Sequence, residues 1–210
     1  MLTVKVDSQK AFSAGRAYML GAPAEAKDGF VVATIAPLLR TEGYAVSWSP
    51  KSKRACAVKA VFRWPVADQT ARVSSPIGDR ESPTRPGVRE FHSGIDIAVP
   101  EGTEVLAAAE GVITHVGWDP GGFGRYVLIA HGPDVVTLYA HLSVAGRAGP
   151  VEASQAIGRV GRTGRTTGPH LHFGVYCMDP DTPFLVDKGG VKVFNRAAAV
   201  DPIQLLRKEA

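Results

Sequence analysis

The stretch that decides the fold is TTGPHLHFGV, residues 166–175. His170 and His172 flank Leu171, and Phe173 follows. Read as a strand, alternation turns both histidines to one face and Leu171 and Phe173 to the other. The apolar pair then faces a core and the histidines stand on the open face. The preceding GRTGRTTGP, residues 161–169, is a glycine- and threonine-rich loop that brings backbone close to that face. Cys177 lies five residues beyond His172, so in a continuous strand it faces away and is excluded as a ligand. Alternation alone leaves three readings open: two metal ligands, one ligand and one chemical group, or two polar residues on a wet strand.

The same texture extends outward. From Phe91 onward, short apolar runs alternate with glycines: GIDIAV (94–99), EVLAAAEGVITHVGW (104–118), RYVLIAHG (125–132), VVTLYAHL (135–142) and AIGRVGRTG (156–164). Turn signals at such intervals predict antiparallel β-structure. Only PIQLLRKE, 202–209, reads as a short helix. Before it, PVADQTARVSSPIGDRESPTRPGVRE (65–90) is rich in Pro, Gly, Ser and charge and reads as linker and loops.

The first segment reads differently. LTVKV (2–6) alternates, GRAYML (15–20) follows a Gly turn, and ATIAPLLRTEGY (33–44) has helical spacing with a Gly stop. YAVSWS, PKSK and RACAVKAVF (44–62) read as a hairpin. The expected organisation is a small α+β module over 1–62, linker and loops over 63–90, and a mainly β domain over 91–210.

Bulk properties bound the function. The 210 residues are 45% hydrophobic and 21% charged, a globular composition. No apolar run approaches the ~18–20 residues of a membrane span, and the first residues lack the apolar centre of a secretory signal. The net charge is +4, and its excess sits at the start: residues 1–60 carry 9 Lys and Arg against 4 Asp and Glu. That surface suits an anionic polymer or is simply a solvated face. No aromatic-plus-basic pattern or finger spacing points to nucleic acid. Two cysteines, Cys56 and Cys177, are too few for a disulfide framework and are expected as two separate, part-buried thiols, with a single bridge between distant segments as the open alternative.

All six histidines fall between 92 and 172. His92 and Asp96 lie four apart in FHSGIDIAVP, about 13 Å along an extended strand, so the segment must curl for both to reach one ion. Gly94 between them makes that curl cheap. His141 ends TLYAHL, where alternation groups it with Tyr139 and sets Leu138 and Ala140 on the opposite face. His115 and His131 are expected in structural or surface roles. His92, Asp96 and His172 together offer three ligands and leave a fourth position open, as in a catalytic zinc site, with His170 and His141 beside it. Iron also uses two histidines and a carboxylate.

FHSGIDIAVPEGTEVLAAAEGVITHVG, RYVLIAHGPDVVTLYAHLS and QAIGRVGRTGRTTGPHLHFGVY together resemble the lysostaphin/LytM-type zinc metallopeptidases, over about residues 75–206. The resemblance implies one Zn2+ held by His92, Asp96 and His172, with His141 and His170 as catalytic imidazoles. It also implies a β-sheet endopeptidase acting on bacterial cell-wall peptidoglycan, in an extracellular or wall-associated setting. One departure is Ser154, where the family shows glycine before the Gln; it affects a turn rather than the site. Residues 2–60 resemble the N-terminal-like domain named after copper amine oxidases, which implies a binding or spacing role. With no histidine before residue 92 and one cysteine there, this segment lacks copper ligands. Its basic surface is the expected contact for anionic wall polymers. The alternative is a non-catalytic wall-binding or hydrolase-activating protein of the same fold; relatives of that kind lose ligand or catalytic histidines, and all five positions stand here.

Overall fold

A computed structural model describes residues 61–132, 135–177 and 199–208 in full. It describes Leu2–Asp7, Lys10–Ser13, Arg16–Met19, Ala45–Ser49, Arg54–Val58, Leu185–Lys188 and Val191–Phe194 as backbone strands. The five N-terminal strands form one antiparallel sheet, and Ala45–Ser49 and Arg54–Val58 pair as the hairpin expected from the sequence. The helix expected over 33–44 lies outside the described residues.

Residues 61–177 are mainly β, as the glycine-punctuated apolar runs predict. The larger sheet runs from edge to edge as Gly149–Val151, Gly111–Asp119, Gly124–Ala130, Val135–Ala140, His170–Cys177, Ile95–Ala98 and Arg72–Ser75, all antiparallel, with Ala199–Val200 also paired to His170–Cys177. A smaller sheet joins Glu104–Leu106, Ala156–Val160 and Leu142–Ala145. One hydrophobic core draws on both sheets: Ile95, Ile97, Val127, Leu171 and Phe173 from the larger, Val105, Leu142, Ile157 and Val160 from the smaller. Leu171 and Phe173 are fully buried there, so the alternation read from HLHF holds. The opposite face of the larger sheet carries a second cluster, with Leu128, Leu138, Ala140 and Tyr176. Val135–Ala140 is therefore apolar on both faces, as a central strand covered twice must be.

Four expectations are corrected. Residues 63–90 are not simply linker: Arg72–Ser75 is an edge strand of the main sheet, Gly78–Glu81 pairs with Arg89–His92, and Phe62, Trp64, Val66 and Ala71 are in the core. Strands of four residues broken by Pro and Gly carry too few apolar positions to show a period. The C-terminal PIQLLRKE is one 3-10 turn, Pro202–Gln204, capped by Asp201, followed by Leu206–Arg207 in parallel with Phe62–Arg63. Leu206, buried beside Phe62 as a strand partner, draws the chain out of the turn and ends the helix early. Cys177 is disulfide-bonded, the alternative left open by the sequence, rather than a separate thiol. Finally, His141 does not continue the alternation of its strand. Its φ is 62°, and the left-handed step turns its ring away from the face of Tyr139, at the corner where the chain leaves one sheet for the other.

Ser154 also stands at positive φ, 65°, in the turn where the resemblance led us to expect glycine. Among the described residues no helix is long and apolar enough to cross a membrane.

Candidate metal centre

Sheet register brings the sequence-expected residues together. Asp96 and His172 are directly opposite each other on neighbouring strands and share a face. His92 ends the Arg89–His92 strand, and the chain curls at Ser93–Gly94 before Ile95–Ala98 begins. That curl brings His92 over Asp96. Gly94 is obligatory here: a Cβ would collide with the Phe173 carbonyl oxygen and lie 2.9 Å from His172 Nε2. The result is three buried groups whose facing atoms touch. His92 Nε2, Asp96 Oδ1 and His172 Nδ1 lie 3.0 Å from one another on all three sides.

The protons around this triangle are constrained. His92 Nδ1 donates to the Pro76 carbonyl at 2.7 Å, so the neutral ring offers a lone pair at Nε2. That lone pair faces the Asp96 carboxylate, a second acceptor, with no hydrogen between them. A cation at the centre resolves the conflict. Tetrahedral zinc with bonds of ~2.0–2.2 Å separates its ligands by about 3.3 Å, close to the observed spacing. The residues present therefore fit a zinc ion. His172 presents Nδ1 to the triangle and buries Nε2 without a hydrogen-bond partner.

Two more imidazoles stand beside it. His170 Nδ1 donates to the Gly168 carbonyl at 2.9 Å, and its Nε2 lies 3.5 Å from Asp96 Oδ1. His141 Nδ1 donates to the Thr163 carbonyl at 2.8 Å. The two rings are 4.7 Å apart, centroid to centroid. Nε2 is thus the atom at which each ring gains or loses a proton. Burial, then the neighbouring His172 and His170, push the His141 imidazolium down to about 3, so this ring is neutral at pH 7. Burial lowers His170 as well, but the hydrogen bond and charge of Asp96 outweigh it and raise the ring above its ordinary value. Burial works against the ionised Asp96 carboxylate, and its close contacts with His170, His172 and His92 override it, holding the group far below the usual carboxylate range. His115 and His131 are elsewhere: His115 bonds the Tyr126 hydroxyl, and His131 bonds the Glu110 carbonyl and Thr137 while its ring packs at a tilt against Phe62.

Sequence reasoning placed the 161–169 loop beside this face, but not the bonds by which the loops hold these rings. Thr163 fixes His141 through its carbonyl while its hydroxyl accepts from Arg125 N and donates to the Leu142 carbonyl. The loop after Gly111–Asp119 is shaped by Asp119, whose carboxylate accepts from Gly121 N and Phe123 N. It is stitched to the others by His141 N to Phe123 O and Arg165 N to Gly122 O. The paired strands Gly78–Glu81 and Arg89–His92 and the loop before His170 bring Arg80, Glu90 and Arg165 together in ion pairs described below. Together they line a cleft of about 680 Å³ that has all five site residues on its wall. The signal for these residues is pairing between segments up to 83 positions apart, which no local pattern carries.

The model for Peptidase family M23 matches residues 90–182. These residues form an M23 peptidase domain. The DD-carboxypeptidase/endopeptidase Mpg of Neisseria meningitidis is 52% identical over 103 residues, 49% of this chain and 24% of that protein. A zinc-containing peptidase from Vibrio cholerae superposes with a TM-score of 0.53 at 30% identity, over 69% of this chain and 40% of that one. The catalytic domain of the antimicrobial peptidase lysostaphin from Staphylococcus simulans superposes with a TM-score of 0.51 at 28% identity, over 64% of this chain and 90% of that domain. The chain thus spans about a quarter of the length of the Neisseria protein that its M23 domain matches.

Proposed function

We propose that this protein is a zinc-dependent endopeptidase that hydrolyses peptide bonds in bacterial cell-wall peptidoglycan. The observation that carries the reading is the triangle of His92 Nε2, Asp96 Oδ1 and His172 Nδ1, each 3.0 Å from the next, open to a cleft lined by two further neutral-capable imidazoles. A zinc ion held by those three atoms would supply Lewis-acid activation of water and of the scissile carbonyl.

The chain's own groups do the rest. His141 and His170 each donate Nδ1–H to a main-chain carbonyl, so each accepts a proton only at Nε2. One such nitrogen takes the proton of the attacking water and delivers it to the leaving amine; the other, once protonated, donates to the oxyanion of the tetrahedral intermediate. The flanking loops orient an extended peptide along the cleft. The names of the Neisseria and Vibrio relatives support peptide hydrolysis with zinc.

A wall substrate places the working protein outside the cytoplasm, at the cell wall, and the disulfide at Cys177 supports an oxidising compartment. The basic first 60 residues, read as a module like the N-terminal domain of copper amine oxidases, would dock on anionic wall polymers; unchanged wall binding after their deletion would remove that part. The test of the activity is mass spectrometry of fragments released from purified peptidoglycan, with and without a chelator. Release of cleaved peptides that stops on chelation and returns with zinc is the expected result. No release by zinc-loaded protein overturns the reading in favour of a non-catalytic wall-binding role.

A further inference from the structure

Beside the metal triangle lies a buried carboxylate that the proposed chemistry does not use. The Glu90 side chain is 8% exposed and is met by three guanidinium groups. Arg165 Nη2 approaches to 2.8 Å, and Arg80 Nη2 and Arg85 Nη2 to 3.5 Å. Arg85 is more than half exposed and adds little. The other two lead to the site by separate routes.

Arg80 stands directly opposite Glu90 on the Gly78–Glu81 strand. Its Nη1 donates to Asp96 Oδ2 at 3.0 Å and to Ser75 Oγ at 2.5 Å. Oδ2 is the oxygen that does not face His92 and His172, so Arg80 fixes the carboxylate with Oδ1 alone turned to the triangle. Arg165 opens the segment that holds His170. Its main-chain N–H donates to Gly122, and the next three residues supply the Thr166 hydroxyl and Gly168 carbonyl that meet His170 Nδ1. Glu90 itself lies two residues before His92 on one strand, so the two side chains share a face. Burying a carboxylate is costly without such partners; removing it would leave two like charges, Arg80 and Arg165, on the cleft wall.

We propose that Glu90 is a positioning residue common to both halves of the site: through Arg80 it fixes Asp96, and through Arg165 it fixes the segment that aims His170. This rests on the zinc peptidase reading above.

The experiment compares the full chain with Glu90→Gln, Arg80→Gln and Arg165→Gln. Zinc affinity of the metal-free protein is measured by calorimetric titration, the Co2+ form by its visible spectrum, and His170 by its imidazole ¹⁵N resonances at fixed pH. Turnover is measured at saturating zinc. Arg80→Gln should weaken zinc by about ten- to hundredfold and alter the cobalt spectrum. Arg165→Gln should leave zinc affinity within about twofold while moving the His170 resonances and lowering kcat with little change in KM. Glu90→Gln should show both effects, and adding Arg165→Gln to it should cost no further kcat. Glu90→Asp, which keeps the charge, should recover part of each.

A Glu90→Gln protein that loses only thermal stability, with zinc affinity, cobalt spectrum, His170 resonances and kcat unchanged, overturns the proposal. If Glu90→Gln does not fold, the two arginine variants decide alone: identical behaviour of both means that Glu90 does not split the site in this way. If wild type binds zinc but cleaves nothing, the peptidase reading has failed, and the anchor is judged on zinc affinity and the His170 resonances.

Discussion

At the scale of single residues, the four imidazoles of the site divide by what their Nδ1 does. His92, His141 and His170 donate Nδ1–H to backbone carbonyls, while His172 turns Nδ1 inward. Histidine at 92 is a ligand under the proposed reading, and at 170 a proton carrier. His92→Ala is therefore expected to lose bound zinc and activity together. His170→Ala is expected to keep one zinc per chain, by elemental analysis, and to lose about 10²–10⁴ in kcat. Full activity in His170→Ala would refute the division. The sequence carried much of this site. H-x-H on a strand puts two rings on one face, and the Asp96–His172 register completes a ligand pair. The sequence also asked for the curl at Gly94 that closes the third side; what it did not carry was the left-handed turn at His141, which leaves the apolar period of its strand unchanged.

At the scale of elements, two glycine-related positions make opposite predictions. Gly94 packs against the Phe173 carbonyl and the His172 ring, with no room for a methyl group. Gly94→Ala should destabilise the fold by about 1–3 kcal/mol through overpacking. It should also lower zinc content, because the ring that yields is a ligand; denaturant unfolding and metal analysis read the two effects. Ser154 holds a left-handed backbone without being glycine. Ser154→Gly should raise stability by roughly 0.5–1 kcal/mol: relief of the strained conformation outweighs the added unfolded-state entropy. A lower denaturation midpoint would show that the bond from Arg63 to the Ser154 hydroxyl matters more. Strands with a clear period, such as Val135–Ala140, were legible in the sequence, whereas Arg72–Ser75 and Gly78–Glu81 were not. Their four-residue lengths and alternately half-exposed side chains look like loop until a partner strand is known.

For the whole molecule, pH acts through a partly buried ring outside the site as well as within it. His131 packs on Phe62, and burial, only partly offset by the Glu110 carbonyl, lowers its pKa from 6.5. The folded protein thus resists a proton that the unfolded chain accepts. This contribution to stability is complete above pH 6.5 and declines as pH falls through 6.5 toward the lower folded value. Melting temperature should fall on acidification from pH 7.5 to 5, and His131→Gln should flatten that slope. Superimposable pH profiles for the two proteins would count against it. The division of the chain into a basic first segment and a nearly neutral remainder was visible from charge alone. The contribution of residues 62–90 to the M23 core was not, because it depends on contacts with strands far along the chain.

The main-chain acceptors behind His92, His141 and His170 have a consequence for how such a domain diversifies. A carbonyl oxygen is present whatever side chain its residue bears, so replacing Pro76, Thr163 or Gly168 alters the ring's position before it alters which nitrogen holds the proton. Protonation is inherited with the path of the backbone. The side chains of the surrounding loops can change without moving the proton that each ring holds.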